Sequence, residues 1–234
     1  MEYSQFEHIM SAKRMQRYLD ATNGDTRKAM ALYRYNLKLS QEVFTVVSCF
    51  EVALRNAIDY QLTSVFGEEW LKDSINTGGI FTLGRTDQTK KIIQKAYSKL
   101  HREGTYSHSK LLAEMEFGVW KYMFSALQYR LTRQCLLRIF PNKPRSTAEI
   151  QYNNTYIFNE LDKINSLRNR IAHHEPICFG LNVAEINTSY IINEYQKIQT
   201  LFSWMGIDSR SMLYGIDHVH SVCTKINELK DNEQ

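Results

Sequence analysis

Apolar residues recur along this chain in steps of three and four, the spacing that lines one face of a helix. Phe6, Ile9, Met10, Met15 and Leu19 predict a first helix over about 6–19. Asn23-Gly24-Asp25 reads as a turn, with Asp25 or Thr26 placed to cap a helix over 27–39. A long helix is expected over 41–66, its stripe formed by Val43, Val46, Val47, Phe50, Leu54, Ala57 and Gln61. Gly67 sits where a C-terminal glycine belongs. Turn formers over 76–84 predict a loop, a polar helix follows over 87–102, and Gly104 makes a turn. The apolar spacing over 111–139 predicts another long helix, with Gly118 inside it or marking a break. Pro141 and Pro144 stop that run. A helix opening at Ser146 or Thr147 should end at His173 or His174, and 182–205 and 212–229 are the last two helical stretches. The pattern predicts one all-α domain over 1–234 with an up-and-down bundle at its centre.

Composition agrees with that pattern. Three prolines and ten glycines in 234 residues suit a mainly helical chain and argue against a multi-stranded sandwich with many tight turns. Hydrophobic residues make up 43% and charged residues 23%, as in a soluble protein, and no apolar run reaches transmembrane length. The polar, mixed-charge N-terminus does not read as a signal peptide. Cys49, Cys135, Cys178 and Cys223 are scattered without CxxC spacing; Cys49 and Cys135, set among apolar helical residues, read as core thiols, and a reducing cytoplasm is expected. A net charge of +4 says little about partners until its distribution is considered.

The chemistry concentrates at Leu167-Arg168-Asn169-Arg170-Ile171-Ala172-His173-His174-Glu175-Pro176. Ile157, Leu161, Ile164 and Ile171 share a helical face, and Arg168 falls near the centre of it. A guanidinium stays charged, so in such a place it needs an acidic partner, hydrogen bonds, a partner subunit or an anionic ligand. Pro176 disfavours helix at Glu175, which puts the helix end near His174. The C-terminal end of a helix favours cations, which makes His173 or His174 a candidate proton donor. On a straight helix Arg168 and His173 point about 140° apart. They meet at one atom if the helix end unwinds, or if two subunits contribute across a symmetry axis. The alternative is structural: Arg168 paired with a core carboxylate, the histidines capping carbonyls.

Two other features carry charge. Glu51 precedes Arg55 by four residues, the favourable order for a helical ion pair. Between Phe117 and Ala148 no acidic residue occurs, while Lys121, Arg130, Arg133, Arg138, Lys143 and Arg145 alternate with Trp120, Tyr122, Phe124, Tyr129 and Phe140. That tract is either an electrostatic track for an RNA backbone or a solvated basic face over aromatic core residues. His174-Glu175-Pro176-Ile177-Cys178 only begins like a zinc-protease motif: it lacks the second histidine and contains a helix breaker. His173, His174 and Cys178 lack an evident fourth metal ligand. Phosphate-binding glycine loops and a GxSxG nucleophile are absent.

Arg168 to His173 fits the Arg-x4-His motif of the HEPN superfamily, and its context resembles the Abi-like abortive-infection proteins of bacteria. Three further stretches are similar to the same family: Tyr18 to Leu39, Phe50 to Ile58 and Ala113 to Trp120. The resemblance covers most of the chain up to about Pro176. It implies an HEPN-like up-and-down helical bundle with additional peripheral helices. It further implies a metal-independent endoribonuclease that acts as a homodimer on RNA, without cofactor, in phage defence. Carried onto this chain, Arg168 and His173 are the catalytic pair, with Asn169 and His174 in support. Beyond a helical ion pair, Glu51 would orient Arg168, or Arg55 would add charge to the RNA cleft. Lys121, Arg130, Arg133 and Arg138 are the weaker RNA-binding candidates. Some HEPN proteins are instead binding modules, so a non-catalytic RNA-binding or protein-interaction role, or a regulatory partnership with an antitoxin-like protein, is the alternative.

Overall fold

A computed structural model describes residues 1–82, 85–180 and 183–231. The last two positions of the predicted 76–84 loop and the start of the predicted 182–205 helix lie outside the described residues. Among the described residues the fold is all-α. Helices α1 (Tyr3–Met10), α2 (Ala12–Asp20), α3 (Thr26–Phe66), α4 (Trp70–Asp73), α5 (Asp87–Arg102) and α6 (His108–Ala113) come first. Then follow α7 (Phe117–Tyr122), α8 (Ala126–Leu131), a short 3₁₀ turn (Leu136–Ile139), α9 (Asn154–Ala172), α10 (Ser189–Trp204), α11 (Ser209–Met212) and α12 (Val219–Asp231). Phe179 and Ile186 form an isolated antiparallel bridge. No described helix is long and apolar enough to cross a membrane.

The local chemistry explains these boundaries. Ser11 has a φ of 75°, which breaks the predicted 6–19 helix into α1 and α2. Asp25 opens α3 as expected, its Oδ1 accepting from the N–H groups of Arg27 and Lys28 at 2.9 and 3.0 Å. Nothing interrupts the helix at Ser40, so the two helices predicted over 27–39 and 41–66 are one helix of 41 residues. Gly67 ends it with a φ of 94°.

The predicted 111–139 helix is the largest correction. Glu116 and Ser125 take extended backbone, at ψ 160° and 150°. Arg133 and Gln134 both occupy the left-handed region, with φ of 54° and 56°. Three short helices and a 3₁₀ turn replace one rod. The helix of the Arg-x4-His stretch starts later than predicted. Ser146 and Thr147 serve a loop instead: their hydroxyls accept from the N–H groups of Tyr152 and Ile150. Asn153 caps α9, its Oδ1 accepting from Tyr156 N–H at 3.0 Å.

The chain groups into two compact units. One comprises Met1–Ser48, Ser166–Thr200 and Asp208–Gln234; the other comprises Cys49–Asn165 and Leu201–Ile207. Tyr18 is central to the first, 5.1 Å from Tyr33 and 5.0 Å from Phe179 between ring centres. Phe50 plays that part in the second, 5.2 Å from Phe202 and 6.5 Å from Phe117. Trp70 and Trp120 are also fully buried there.

Candidate functional site

The Arg-x4-His stretch lies in the first unit, at the C-terminal end of α9. Leu167 and Ile171 are buried on its inner face, and Arg168 between them is half-buried. Asn169 and His173 are exposed one turn apart on the outer face. The helix does not unwind before the histidine, since His173 N–H donates to Asn169 carbonyl at 2.9 Å. Of the two routes by which Arg168 and His173 could meet, unwinding is therefore closed.

A Schellman cap ends the helix. His174 N–H donates to Ile171 carbonyl at 3.0 Å, and Glu175 N–H reaches back to Arg170 carbonyl at 2.9 Å. His174 holds the left-handed position, φ 56°, that glycine fills in most such caps. Its side chain is exposed. Where an apolar contact often closes this motif, Arg170 Nε donates to Glu175 Oε2 at 3.3 Å. Arg170 Nη2 also donates to Pro176 carbonyl at 2.9 Å, and its guanidinium lies 5.5 Å from the Tyr190 ring centre.

Residues far away in sequence brace the segment after the cap. Arg14 Nη1 donates to His174 carbonyl at 3.0 Å. Arg17 Nη2 donates to the carbonyls of Gly180 and Val183, with its guanidinium 4.6 Å from the Phe179 ring centre. Asn36, buried in α3, accepts with one Oδ1 from the N–H groups of Ile177 and Cys178, at 2.8 and 3.2 Å. Sequence reasoning missed these three. The available signal was weak: Arg14 and Arg17 share a face of α2, and Asn36 is an amide on an apolar helical stripe.

Glu51, Arg55, Lys121, Arg130, Arg133 and Arg138 belong to the second unit. Glu51 and Arg55 are half-buried in α3, and Arg55 Nε donates to Asn56 Oδ1 at 3.4 Å. Lys121 is buried, with Nζ 2.7 Å from Asp162 Oδ1 and 4.6 Å from the Tyr122 ring centre. Its charge is thus engaged within the fold. Arg130, Arg133 and Arg138 are exposed; Arg133 lies 4.9 Å from the Phe66 ring centre. Of the interleaved aromatics, Trp120, Phe124, Tyr129 and Phe140 are core residues, while Tyr122 is 49% exposed. Cys178 is fully buried, and burial pushes its thiol up to about 12. The neighbouring His173 and His174 are exposed, so these three residues do not form a common ligand set. Among the described residues no group of three His, Cys, Asp or Glu side chains is arranged to hold a metal ion.

The model of the Abi-like protein family matches residues 2–178. The chain belongs to the Abi-like family. The match runs from α1 through the cap of α9, and all four stretches that carried the resemblance lie within it. No curated protein and no solved structure matches this Abi-like chain. Family membership points to abortive infection, a form of phage defence.

Proposed function

We propose that this Abi-like protein is a metal-independent endoribonuclease of the HEPN type that acts in abortive infection by cleaving RNA at a dimer interface. The observation that carries the reading is the intact, capped end of α9. It holds His173 and Asn169 outward while Arg168 sits on the inner side. One such helix end does not aim both groups at one phosphate, but two copies around a twofold axis can supply one group each.

The reaction uses RNA's own nucleophile. A 2′-hydroxyl loses its proton to a base and attacks the adjacent phosphorus; the P–O5′ bond breaks, and the leaving oxygen takes up a proton. Products are a 2′,3′-cyclic phosphate and a 5′-hydroxyl. Arg168 clamps the nonbridging oxygens through charge-assisted hydrogen bonds as negative charge builds on the phosphorane. His173 exchanges protons with the attacking or the leaving oxygen. Asn169, one turn from His173, and His174 at the cap support it. The exposed Arg130, Arg133 and Arg138 are available to RNA phosphates.

The test is incubation of wild type, Arg168→Ala and His173→Ala with total RNA, followed by end-group analysis. Wild type should yield cyclic-phosphate ends in the presence of EDTA, and both variants should fold but leave RNA intact. Cleavage that persists in both variants, or that strictly requires a divalent metal, overturns the assignment. Salt-sensitive binding with full-length RNA recovered would instead favour a non-catalytic module, and co-purification of a second protein a regulatory partnership.

A further inference from the structure

A second site lies wholly within the unit that does not carry the Arg-x4-His stretch. Helix α5 and the α6–α8 segment enclose a cleft of about 1040 Å³. Its α5 wall is one helical stripe that ends in Lys95, Lys99 and Arg102. By helix rise these cations are spaced about 6 and 10 Å along the axis from the first. Lys99 is bound to Glu114 across the cleft, at 2.9 Å, which fixes the two walls to each other. Lys95 and Arg102 are exposed on either side of that bridge. In the lining as a whole, cations outnumber carboxylates four to two.

The opposite wall offers different chemistry. Tyr122, 49% exposed, is held edge-on to Phe158 at 5.7 Å. Gln128 lines the cleft and is 5% exposed. Its Nε2 donates to Thr89 Oγ1 at 2.6 Å, and its buried Oε1 has no hydrogen-bond partner among the described residues. A buried acceptor left unsatisfied is costly, and a ligand N–H or O–H would relieve that cost.

We propose that this cleft binds a short stretch of single-stranded nucleic acid. Its phosphates lie along Lys95 and Arg102, a base rests on the Tyr122 ring, and a nucleotide donor bonds Gln128 Oε1. Spaced cations beside an aromatic face and a carboxamide are the elements of a single-strand platform. A duplex keeps its bases stacked on one another and offers none to the tyrosine. The volume lies at the upper end for small-molecule sites, so a single mononucleotide would leave much of it unfilled. The proposal stands whether or not the α9 motif cleaves RNA.

The probe is a fluorescent 2′-O-methyl oligoribonucleotide of about six nucleotides, which lacks the attacking hydroxyl. Its anisotropy is measured on the intact protein over a range of salt. Wild type should bind with log K falling against log salt by roughly 0.7 for each phosphate neutralised. Lys95→Glu/Arg102→Glu should weaken binding at least tenfold and flatten the slope, and Tyr122→Ala should weaken it about tenfold with the slope unchanged. Lys225→Glu, at an exposed cation of α12 in the other unit, should bind as wild type does. Equal binding by the charge-swapped and wild-type proteins, or displacement of the oligonucleotide by equimolar adenosine monophosphate, overturns the proposal. Absence of wild-type binding also overturns it, and none of these results bears on cleavage by Arg168 and His173.

Discussion

Replacing His174 with glycine should make the chain more stable. His174 closes the Schellman cap at φ 56°, a region that costs an L-residue about 1–2 kcal/mol. Glycine adopts it freely but gains freedom in the unfolded chain, which takes back about 0.5–1 kcal/mol. The hydrogen bonds of the cap are made by backbone groups, and Arg14 bonds the His174 carbonyl, so all of them survive the change. The net gain is about 0.5–1 kcal/mol, from the difference between strain relieved and entropy lost. For a chain of this size that raises Tm by about 1–4 °C. Thermal unfolding followed by far-ultraviolet circular dichroism measures it, with His174→Ala as the control. Alanine keeps the strain and should give no rise. A His174→Gly protein that melts below both wild type and the alanine variant would refute the reasoning. It would mean that the freedom glycine gains in the unfolded chain outweighs the backbone strain it relieves. Cleavage by the glycine variant then reads the assistance of the His174 side chain alone.

Other expectations concern the frame around the motif. Asn36→Ala strands two buried N–H groups and should cost about 2–6 kcal/mol, at about 1–3 for each, read as a lower urea midpoint. Gly79→Ala would drive a Cβ into the backbone of Asp73 and Ser74 and should cost about 1–3 kcal/mol by the same assay. Burial raises the Glu42 carboxyl, but hydrogen bonds from Lys38 and His218 outweigh it and hold the group below its ordinary value. A carboxyl depressed by folding stabilises above its unfolded pKa and loses that contribution as pH falls through the folded one. Glu42→Gln should therefore flatten part of the acid side of the stability–pH curve, and an unchanged acid slope would count against the linkage.

Elements whose ends are set by nearby residues were readable in the sequence. The α5 bounds match the expectation because its amphipathic run is flanked by turn formers, and Asp25 and Gly67 end α3 with local chemistry. The 111–139 region was misread because its apolar residues keep helical spacing while the backbone turns at Glu116, Ser125 and Arg133-Gln134. Burial of Trp120, Phe124 and Phe140 satisfies the same pattern without a continuous helix. The end of α9 was legible from Pro176, and the position of Arg168 on the apolar side from periodicity. The braces were not. Arg14, Arg17 and Asn36 act on a segment more than a hundred residues downstream, and no local pattern encodes such a pairing.

Those long-range braces have a consequence for how the protein is made. Asn36 meets Ile177 across 141 positions, Arg17 meets Val183 across 166, and Glu42 meets His218 across 176. On a ribosome the N-terminal helices must wait through those 141, 166 and 176 positions before these partners emerge. Closing loops of that length is a late and slow step compared with forming a local hairpin of helices. The histidine pair therefore leaves the exit tunnel on an unbraced strand and gains its fixed setting only when the N-terminal helices dock on the segment that follows it.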